Sequence, residues 1–277
     1  MTMKTSYTTI FTLWITWLVS ATCQLVINVS SGEPDANVYR QSVTGNQTSE
    51  TVTIEFLSPA GTGVLQLTDF RAGLTITSVT IPGEEELGEP EYQVLCFVTP
   101  GVGDMIPPEA VTKLRQKHPG SVRLAEESRG RLVVDNSAAL VVSRAGALSE
   151  HIPRLCREAR ETTFTPEHLL AQVREGALGA GRGHKSDSSL THLSSLMPGE
   201  YSALERCASL DHAVVGPCLC VVEVCVPWYP CSLKYCRNTA GEAAGAGEHR
   251  CGIRTCSKCS DMRFTAASKQ SCSWDEI

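Results

Sequence analysis

Apolar and polar residues alternate with a period of two between residues 51 and 98. The segment 51–57, TVTIEFL, places three apolar side chains on one face. A Gly/Pro turn cluster at 58–63 separates it from a second apolar run that ends at Asp69-Phe70, and the two runs predict a hairpin. Because the same alternation recurs at 74–81 and 92–98, we expect an antiparallel meander of short strands.

The pattern changes on either side of the first hairpin. Residues 24–29 are rich in β-branched side chains and predict one more strand, whereas the polar stretch 30–49 predicts a loop. The acidic stretch 82–90, PGEEELGEP, predicts an exposed loop. It lacks the alternating carboxylates of a calcium-binding loop.

Helical signals follow the last strand of the meander. A proline pair before Glu109 predicts a helix over residues 109–117, because proline suits the first turn and a carboxylate suits the positive end of the helix dipole. Residues 148–161 have apolar side chains at helical spacing and predict a second helix. Thr165, an N-cap residue before a proline, predicts a third helix that ends near Glu175.

Two features lie between the first two predicted helices. Residues 131–144, RLVVDNSAALVVSR, predict a hairpin that turns at Asp135-Asn136. The segment Lys113 to Arg131 carries seven basic or histidine residues, a composition that can bind glycosaminoglycan. Glu126 and Glu127 dilute this charge, so a solvated helix face is the favoured interpretation.

The first 23 residues have the form of a secretory signal peptide. Lys4 precedes an apolar run of about twelve residues, and Ala21-Thr22-Cys23 offers small residues for cleavage. Since about 20 apolar residues are needed to span a bilayer, an uncleaved anchor is the less favoured alternative. We therefore expect the mature chain to be secreted and extracellular, with no membrane span.

Composition then divides the mature chain into three parts. Residues 24–175 form the predicted α+β domain. Residues 176–205 are mostly rich in Gly, Ser and His and predict a linker. Residues 206–277 predict a cysteine-rich domain that depends on disulfide bonds for stability because its hydrophobic core is small.

Cysteine usage supports an oxidising compartment. The chain has 13 cysteines, and removal of the first 23 residues leaves 12, an even number that suits complete pairing. The spacing Cys256-x2-Cys259 also fits zinc, but disulfides are favoured behind a signal peptide. Two sequons make Asn28 and Asn46 candidate glycosylation sites. The cysteines of the last domain are Cys207, Cys218, Cys220, Cys225, Cys231, Cys236, Cys251, Cys256, Cys259 and Cys272.

Charge and motifs exclude several classes of function. A net charge of −6 argues against a dedicated nucleic-acid binder, whose surface would be basic. The sequence contains no HExxH, GxSxG, P-loop or dinucleotide motif, so we expect no enzyme, no cofactor and no metal site. The β-prone run 219–226 would promote aggregation if it were exposed, and a buried strand is the favoured interpretation.

Residues in both halves resemble the out at first protein family. They include Leu95-Cys96-Phe97-Val98-Thr99, Lys113-Leu114-Arg115-Gln116-Lys117, Trp228-Tyr229-Pro230-Cys231 and Leu233-Lys234-Tyr235-Cys236. The resemblance implies a secreted protein with developmental associations and no established biochemical activity. It also implies eight cysteines in the C-terminal part, so Cys225 and Cys259 are additional. We hypothesise that these two pair with each other, and the other C-terminal pairings stay open.

Part of the N-terminal half also resembles a BRICHOS domain. The residues concerned are Asp69-Phe70, Cys96-Phe97-Val98 with Ile106-Pro107-Pro108, and Leu155-Cys156. The resemblance implies an antiparallel sheet between helices, an aspartate at Asp69 and a Cys96–Cys156 disulfide. It also implies a chaperone-like action on β-prone polypeptides. The expected fold is therefore α+β, a BRICHOS-like antiparallel sheet flanked by helices and followed by a small disulfide-rich domain.

The sequence as a whole favours a secreted, non-enzymatic extracellular binding protein with a developmental or signalling association. A sheet face or edge would bind extended, β-prone polypeptide by main-chain pairing. The alternative is a structural or matrix-associated protein that docks to a receptor or glycan through the cysteine-rich domain. The expected partner is an extracellular protein or polypeptide and not a nucleic acid.

Overall fold

The secondary structure is mostly β, with a few short helices and a disulfide-rich C-terminal region. The predicted signal peptide and most of the predicted linker lie outside the described residues. The computed structural model describes residues 24–30, 38–159, 161–174, 204–210, 216–236, 249–272 and 274.

Twelve strands and three α-helices occur in these residues. The strands are β1 Gln24–Ser30, β2 Val38–Asn46, β3 Thr51–Leu57, β4 Gly63–Asp69, β5 Leu74–Pro82, β6 Tyr92–Pro100, β7 Val122–Arg123, β8 Glu127–Asp135, β9 Ala138–Ala139, β10 Thr163–Thr165, β11 Cys218–Cys236 and β12 His249–Ala266. The helices are α1 Pro108–Val111, α2 Ile152–Leu155 and α3 Glu167–Arg174. Among the described residues, no helix has the length and apolar content needed to cross a membrane.

The strands form two sheets. The first has nine strands in the order β7-β1-β2-β3-β4-β5-β6-β10-β9. From β1 to β6 each strand pairs antiparallel with the next, so the predicted meander and its hairpin of β3 and β4 are confirmed. The second sheet has the order β11-β12-β8, in which β11 and β12 form a long antiparallel hairpin and β8 pairs parallel with β12.

Each face of the nine-stranded sheet carries its own core, because successive side chains of a strand point to opposite sides. On β6, Phe97 belongs to the first core and Cys96 to the second. The first core is completed by Val222, Tyr229 and Phe264 of the second sheet. The ring centroids of Phe97 and Phe264 lie 5.8 Å apart. The three-stranded sheet therefore packs on the first face.

The second face is covered by residues 138–170, termed the covering segment. Ile152 and Leu169 of this segment are fully buried against β4, β5 and β6. A disulfide joins Cys96 to Cys156. The buried carboxylate of Asp69 accepts a hydrogen bond of 2.6 Å from the hydroxyl of Ser149. These two links fasten the covering segment to the sheet.

The helices are shorter than the sequence predicted. α1 ends at Val111 because the following chain leaves to reach β7 at the edge of the first sheet. The helix predicted over 148–161 is reduced to α2 and a preceding 3₁₀ turn at Val142–Ala147. Pro153 explains this, because it lacks the N–H that a helix starting at residue 148 would donate to the residue 149 carbonyl. α3 agrees with the third predicted helix.

The prediction of a loop over residues 30–49 is wrong, because β2 occupies Val38–Asn46. This strand is polar, yet Gln41 is completely buried, and its Nε2 donates a hydrogen bond of 2.5 Å to the Trp228 carbonyl. A long-range partner on the second sheet thus satisfies the amide nitrogen of a side chain whose type suggested solvent exposure.

The hairpin predicted over residues 131–144 is also wrong. β8 lies in the second sheet, whereas β9 pairs with β10 in the first. At the predicted turn, the N–H of Asn136 donates to the carbonyl of Arg263, which extends the pairing of β8 with β12. The chain therefore crosses from one sheet to the other at this point. As a result, β8 precedes the predicted linker in sequence but completes the sheet that follows it.

Close packing of β2 against α1 gives the first testable prediction. A Cβ atom on Gly45 would lie 2.8 Å from the Pro108 carbonyl oxygen and 3.0 Å from Val111 Cβ. Gly45→Ala is therefore expected to destabilise the chain by about 1–3 kcal/mol, the usual range for overpacking. Urea unfolding measures this as a lower midpoint with an unchanged m value. Gly63→Ala on β4, whose nearest atom would be 3.6 Å away, is the control, and equal losses would contradict the packing argument.

The hydrogen bond between Asp69 and Ser149 gives the second testable prediction. Ser149→Ala removes a donor from a buried carboxylate and is expected to cost about 1.5–3 kcal/mol of unfolding free energy. Ser143→Ala is the matched control, since Ser143 is exposed on the same covering segment. In a double-mutant cycle with Asp69→Asn, the two losses should couple rather than add. Additive losses, or a Ser149→Ala variant as stable as the wild type, would argue against this anchor.

Candidate functional site

Asp69 is an internal anchor in this structure. Its side chain is 4% exposed. Besides the Ser149 hydroxyl, its carboxylate accepts the backbone N–H groups of Arg71 at 3.0 Å and Ala72 at 2.9 Å, which closes the turn from β4 to β5. Asp69 and the Cys96–Cys156 bond therefore serve the same purpose, attachment of the covering segment, and neither is presented to a ligand.

The ten C-terminal cysteines form five disulfides. Three of them cross the hairpin of β11 and β12 and hold its strands in register, including the pair Cys225–Cys259, whose members lie directly opposite each other. The other two attach the segments before β11 and after β12. The five bonds are Cys207–Cys218, Cys220–Cys272, Cys225–Cys259, Cys231–Cys256 and Cys236–Cys251.

Within the part of the chain that the structure describes, two groups of side chains each bring three potential metal-binding atoms together. One contains Asp104 with Cys231 and Cys256, and the other contains Glu223 with the Cys225–Cys259 pair. In both groups the two sulfurs are bonded to each other. A disulfide sulfur is not a thiolate, so each group retains a single carboxylate as a metal ligand.

The two sequon asparagines lie in different surroundings. Asn46 is exposed at the end of β2, and its Oδ1 accepts the N–H groups of Thr48 at 2.9 Å and Ser49 at 3.2 Å. Asn28 is half-buried on β1, and its Nδ2 donates to the Pro119 carbonyl at 3.3 Å. Asn46 is thus the more accessible of the two glycosylation candidates.

A polar cluster joins the β6–α1 connection to the second sheet. Asp104 accepts hydrogen bonds of 2.8 Å from the Tyr229 hydroxyl and from Nε of Arg129 on β8. Lys258 Nζ lies 4.9 Å from the centroid of the Tyr229 ring. Burial, with the Asp104 bond, raises the pKa of Tyr229, and burial lowers the pKa of Lys258. These contacts position the start of β8.

Arg131 fixes the middle of β8 against both strands of the hairpin. Its Nη1 donates to Glu223 at 2.8 Å and to Asp261 at 2.7 Å, and its Nη2 donates to the second Glu223 oxygen at 3.0 Å. Glu223 lies on β11 and Asp261 lies on β12. One guanidinium therefore spans the whole width of the three-stranded sheet.

The outer edge of β8 has no neighbouring strand within the described part of the chain. In a parallel pair, alternate residues turn both backbone groups toward the partner strand. Because the N–H of Asn136 bonds to Arg263 of β12, the backbone groups of Arg131, Val133 and Asp135 point away from β12. Three N–H and C=O pairs are thus available to another extended chain.

Only the first half of this edge is protected. Arg129 and Gly130, which adopts a left-handed conformation (φ 73°), disfavour strand addition there. The second half carries Leu132, which is 63% exposed, and Val133, which is 43% exposed. An apolar edge of this kind is a template for pairing with an extended polypeptide.

A second open surface lies on the uncovered part of the second face, across β1 to β5. It is a depression of about 520 Å³ in which Leu57 is 58% exposed and Arg40 and Glu55 supply opposite charges. Such a mixture suits contact with a polypeptide surface, whereas the β8 edge adds directional backbone groups. The lining residues are Gln24, Val26, Arg40, Ser42, Glu55, Phe56, Leu57, Gly63, Val64, Leu65, Ser78 and Thr80.

Sequence reasoning located neither surface. The predicted hairpin assigned the backbone groups of residues 131–135 to an internal partner, so the free edge went unnoticed. The available signal was the apolar run Leu132-Val133-Val134 directly after Arg-Gly-Arg. In contrast, the run 219–226 forms part of β11, where Val222 and Val224 are buried, as predicted.

Two family models match the chain. One, described as Out at first, matches residues 23–172. The other, described as Out at first, C-terminal, matches residues 206–276. No solved structure matches the chain.

Relatives match over nearly the whole length of the chain. An Out at first protein of Drosophila virilis is 36% identical over 262 residues, which cover 91% of this chain and 82% of the relative. An Out at first protein of Drosophila melanogaster is 35% identical over 263 residues, which again cover 91% of this chain but only 52% of the relative, about half of its length. With both of its halves matched in this way, the chain belongs to the Out at first family.

Proposed function

We propose that this chain is a secreted, non-enzymatic, signalling-associated binding protein that captures extended, β-prone polypeptide by main-chain pairing along β8. The observation that carries the proposal is the outer edge of β8, where Arg131, Val133 and Asp135 turn their backbone groups to solvent. Strand addition at such an edge is a general mode of peptide recognition.

The strength of this binding can be estimated from the edge itself. Three outward residues can exchange up to about six hydrogen bonds with an added strand. At about 0.5–1.5 kcal/mol each, and after the cost of ordering the bound peptide, the affinity is on the order of micromolar or weaker. Weak and reversible binding suits a chaperone-like role, in which the client must be released.

The side chains of β8 define the client. Leu132 and Val133 lie on opposite faces of the strand and favour a partner with apolar, β-branched residues. Arg131 is already bonded to Glu223 and Asp261, so the edge offers little unpaired charge to discriminate between sequences. The preferred client is therefore apolar, low in charge and tolerant in sequence.

The BRICHOS-like interpretation is part of this proposal. It is supported by the antiparallel meander and by Asp69 and Cys96–Cys156, which hold one segment against the same face of the sheet. Secretion is supported by the six disulfides, which suit an oxidising extracellular compartment.

A proline substitution tests the edge directly. Val133→Pro removes an N–H that faces away from β12 and places a ring on the outer edge, so it should block strand addition without breaking the pairing of β8 with β12. The intact mature chain should delay fibril formation of an unrelated amyloid peptide at substoichiometric ratios, as followed by thioflavin fluorescence. The Val133→Pro variant should lose most of this delay.

Val133→Thr is the matched control, because it keeps both the N–H and the β-branched shape. It should retain most of the delay, and both variants should keep the far-UV spectrum and unfolding midpoint of the wild type. The proposal fails if the wild-type chain causes no delay, or if a folded Val133→Pro variant is as active as the wild type.

A further inference from the structure

A basic segment without acidic residues connects α1 to β7. No Asp or Glu occurs between Glu109 and Glu126. Residues 112–123 of this interval, termed the basic loop, contain Lys113, Arg115, Lys117, His118 and Arg123. We propose that the basic loop binds a sulfated polysaccharide, an activity that goes beyond the capture of polypeptide at β8.

Alternating burial directs the basic side chains outward. Thr112, Leu114 and Gln116 are half-buried, and Leu114 packs against the first core. The residues between and after them, Lys113, Arg115 and Lys117, are exposed. The helix that would have spread these side chains around a cylinder ends at Val111. The ammonium groups of Lys113 and Lys117 therefore share the solvent side of the loop, whereas Nη1 of Arg115 donates to the Thr112 and Leu114 carbonyls at 2.8 Å.

The nearby acidic residues are neutralised elsewhere. Glu126 pairs with Lys234 at 2.8 Å. Glu127 pairs with Arg129 at 2.7 Å and with Arg254 at 3.5 Å. Among the described residues, Lys113, Lys117 and Arg123 form no ion pair. Glu126 and Glu127 therefore do not compensate the positive charge of the basic loop.

Internal hydrogen bonds hold the loop in one conformation. The His118 carbonyl accepts three hydrogen bonds, one from Nε2 of Gln116 at 2.8 Å and two from Ser121, through its N–H at 3.1 Å and its hydroxyl at 2.8 Å. The far end of the loop is fixed because β7 pairs with β1. A fixed loop loses little conformational entropy on binding, so its cations can act together.

The net charge of the whole chain limits the classes of anionic ligand that the basic loop can bind. With a net charge of −6, the molecule is not attracted to polyanions as a whole, so attraction must be local. Anionic lipid is concentrated on the cytoplasmic leaflet, which a secreted chain does not meet. Sulfated polysaccharide is the anionic polymer of the extracellular space, and its repeated sulfates match several exposed cations in a row.

Immobilised heparin is the probe for this proposal. The intact mature chain should bind it at about 0.15 M salt, and the affinity should fall steeply as salt screens the contacts. Neutralising three cations through Lys113→Gln, Lys117→Gln and Arg123→Gln should weaken binding by about tenfold or more. Surface plasmon resonance measures the affinities, and thermal unfolding checks that the variant is folded.

A second triple variant controls for net charge. Arg154→Gln, Arg157→Gln and Arg250→Gln remove the same charge from exposed residues outside the loop, and binding should stay within about twofold of the wild type. Desulfated heparin should compete poorly. If the first triple variant does not fold, the single variants Lys113→Gln and Lys117→Gln, each in exposed coil, provide the same comparison.

Five results would overturn the assignment. The first is a wild-type chain that does not bind heparin, and the second is a folded loop variant that binds as tightly as the wild type. The third is a control variant that loses as much affinity as the loop variant. The fourth is equal or tighter binding to vesicles of phosphatidylcholine and phosphatidylserine, and the fifth is equal competition by desulfated heparin.

Discussion

On β6, the ring of Phe97 packs into the core shared with the second sheet, and the neighbouring residue, Cys96, is bonded to Cys156 on the opposite face. Phe164 and Phe264 stack at 4.4 Å next to Phe97. Each buried ring contributes about 1.5–3 kcal/mol by burial, and each aromatic pair adds roughly 0.5–1.5 kcal/mol. One strand therefore attaches a layer to each side of the sheet.

This double attachment makes the second sheet a rigid support. One face of the hairpin of β11 and β12 packs on the shared core, and three disulfides crosslink its two strands along their length. β8 is held to it by main-chain pairing and by Arg131. Because one edge of β8 is fixed so firmly, its other edge is already extended, and a partner strand need not order it.

Local patterns predicted the parts of the fold that depend on neighbours in sequence. The alternation at residues 51–57 and 74–81 placed side chains correctly on two faces, and the N-cap at Thr165 marked α3. Patterns failed where a distant partner decided the structure. Gln41 is buried because the Trp228 carbonyl accepts its hydrogen bond. Residues 131–135 join a sheet whose other strands lie far along the sequence.

The same separation in sequence concealed the free edge of β8 and left the exposure of the basic loop undecided. A free edge can be recognised only when all the pairings of a sheet are known, and the pairing of β8 with β12 has no local signal. The basic residues after α1 were visible in sequence, but their exposure depended on where the helix ended. The early end of α1 reflects the pairing of β7 with β1, which sequence spacing alone does not reveal.

The parallel pairing of β8 with β12 also sets an order of assembly. Arg131 and its partner Asp261 are 130 residues apart in sequence. At a synthesis rate of about 5–20 residues per second, β8 emerges roughly 10 s before the strand that it must join. The Cys96–Cys156 loop can close in that interval, whereas β8 still has two free edges. The nascent chain is therefore most prone to aggregation before its C-terminal hairpin forms. Efficient secretion depends on how well the unpaired edges of β8 are kept from other chains during that interval.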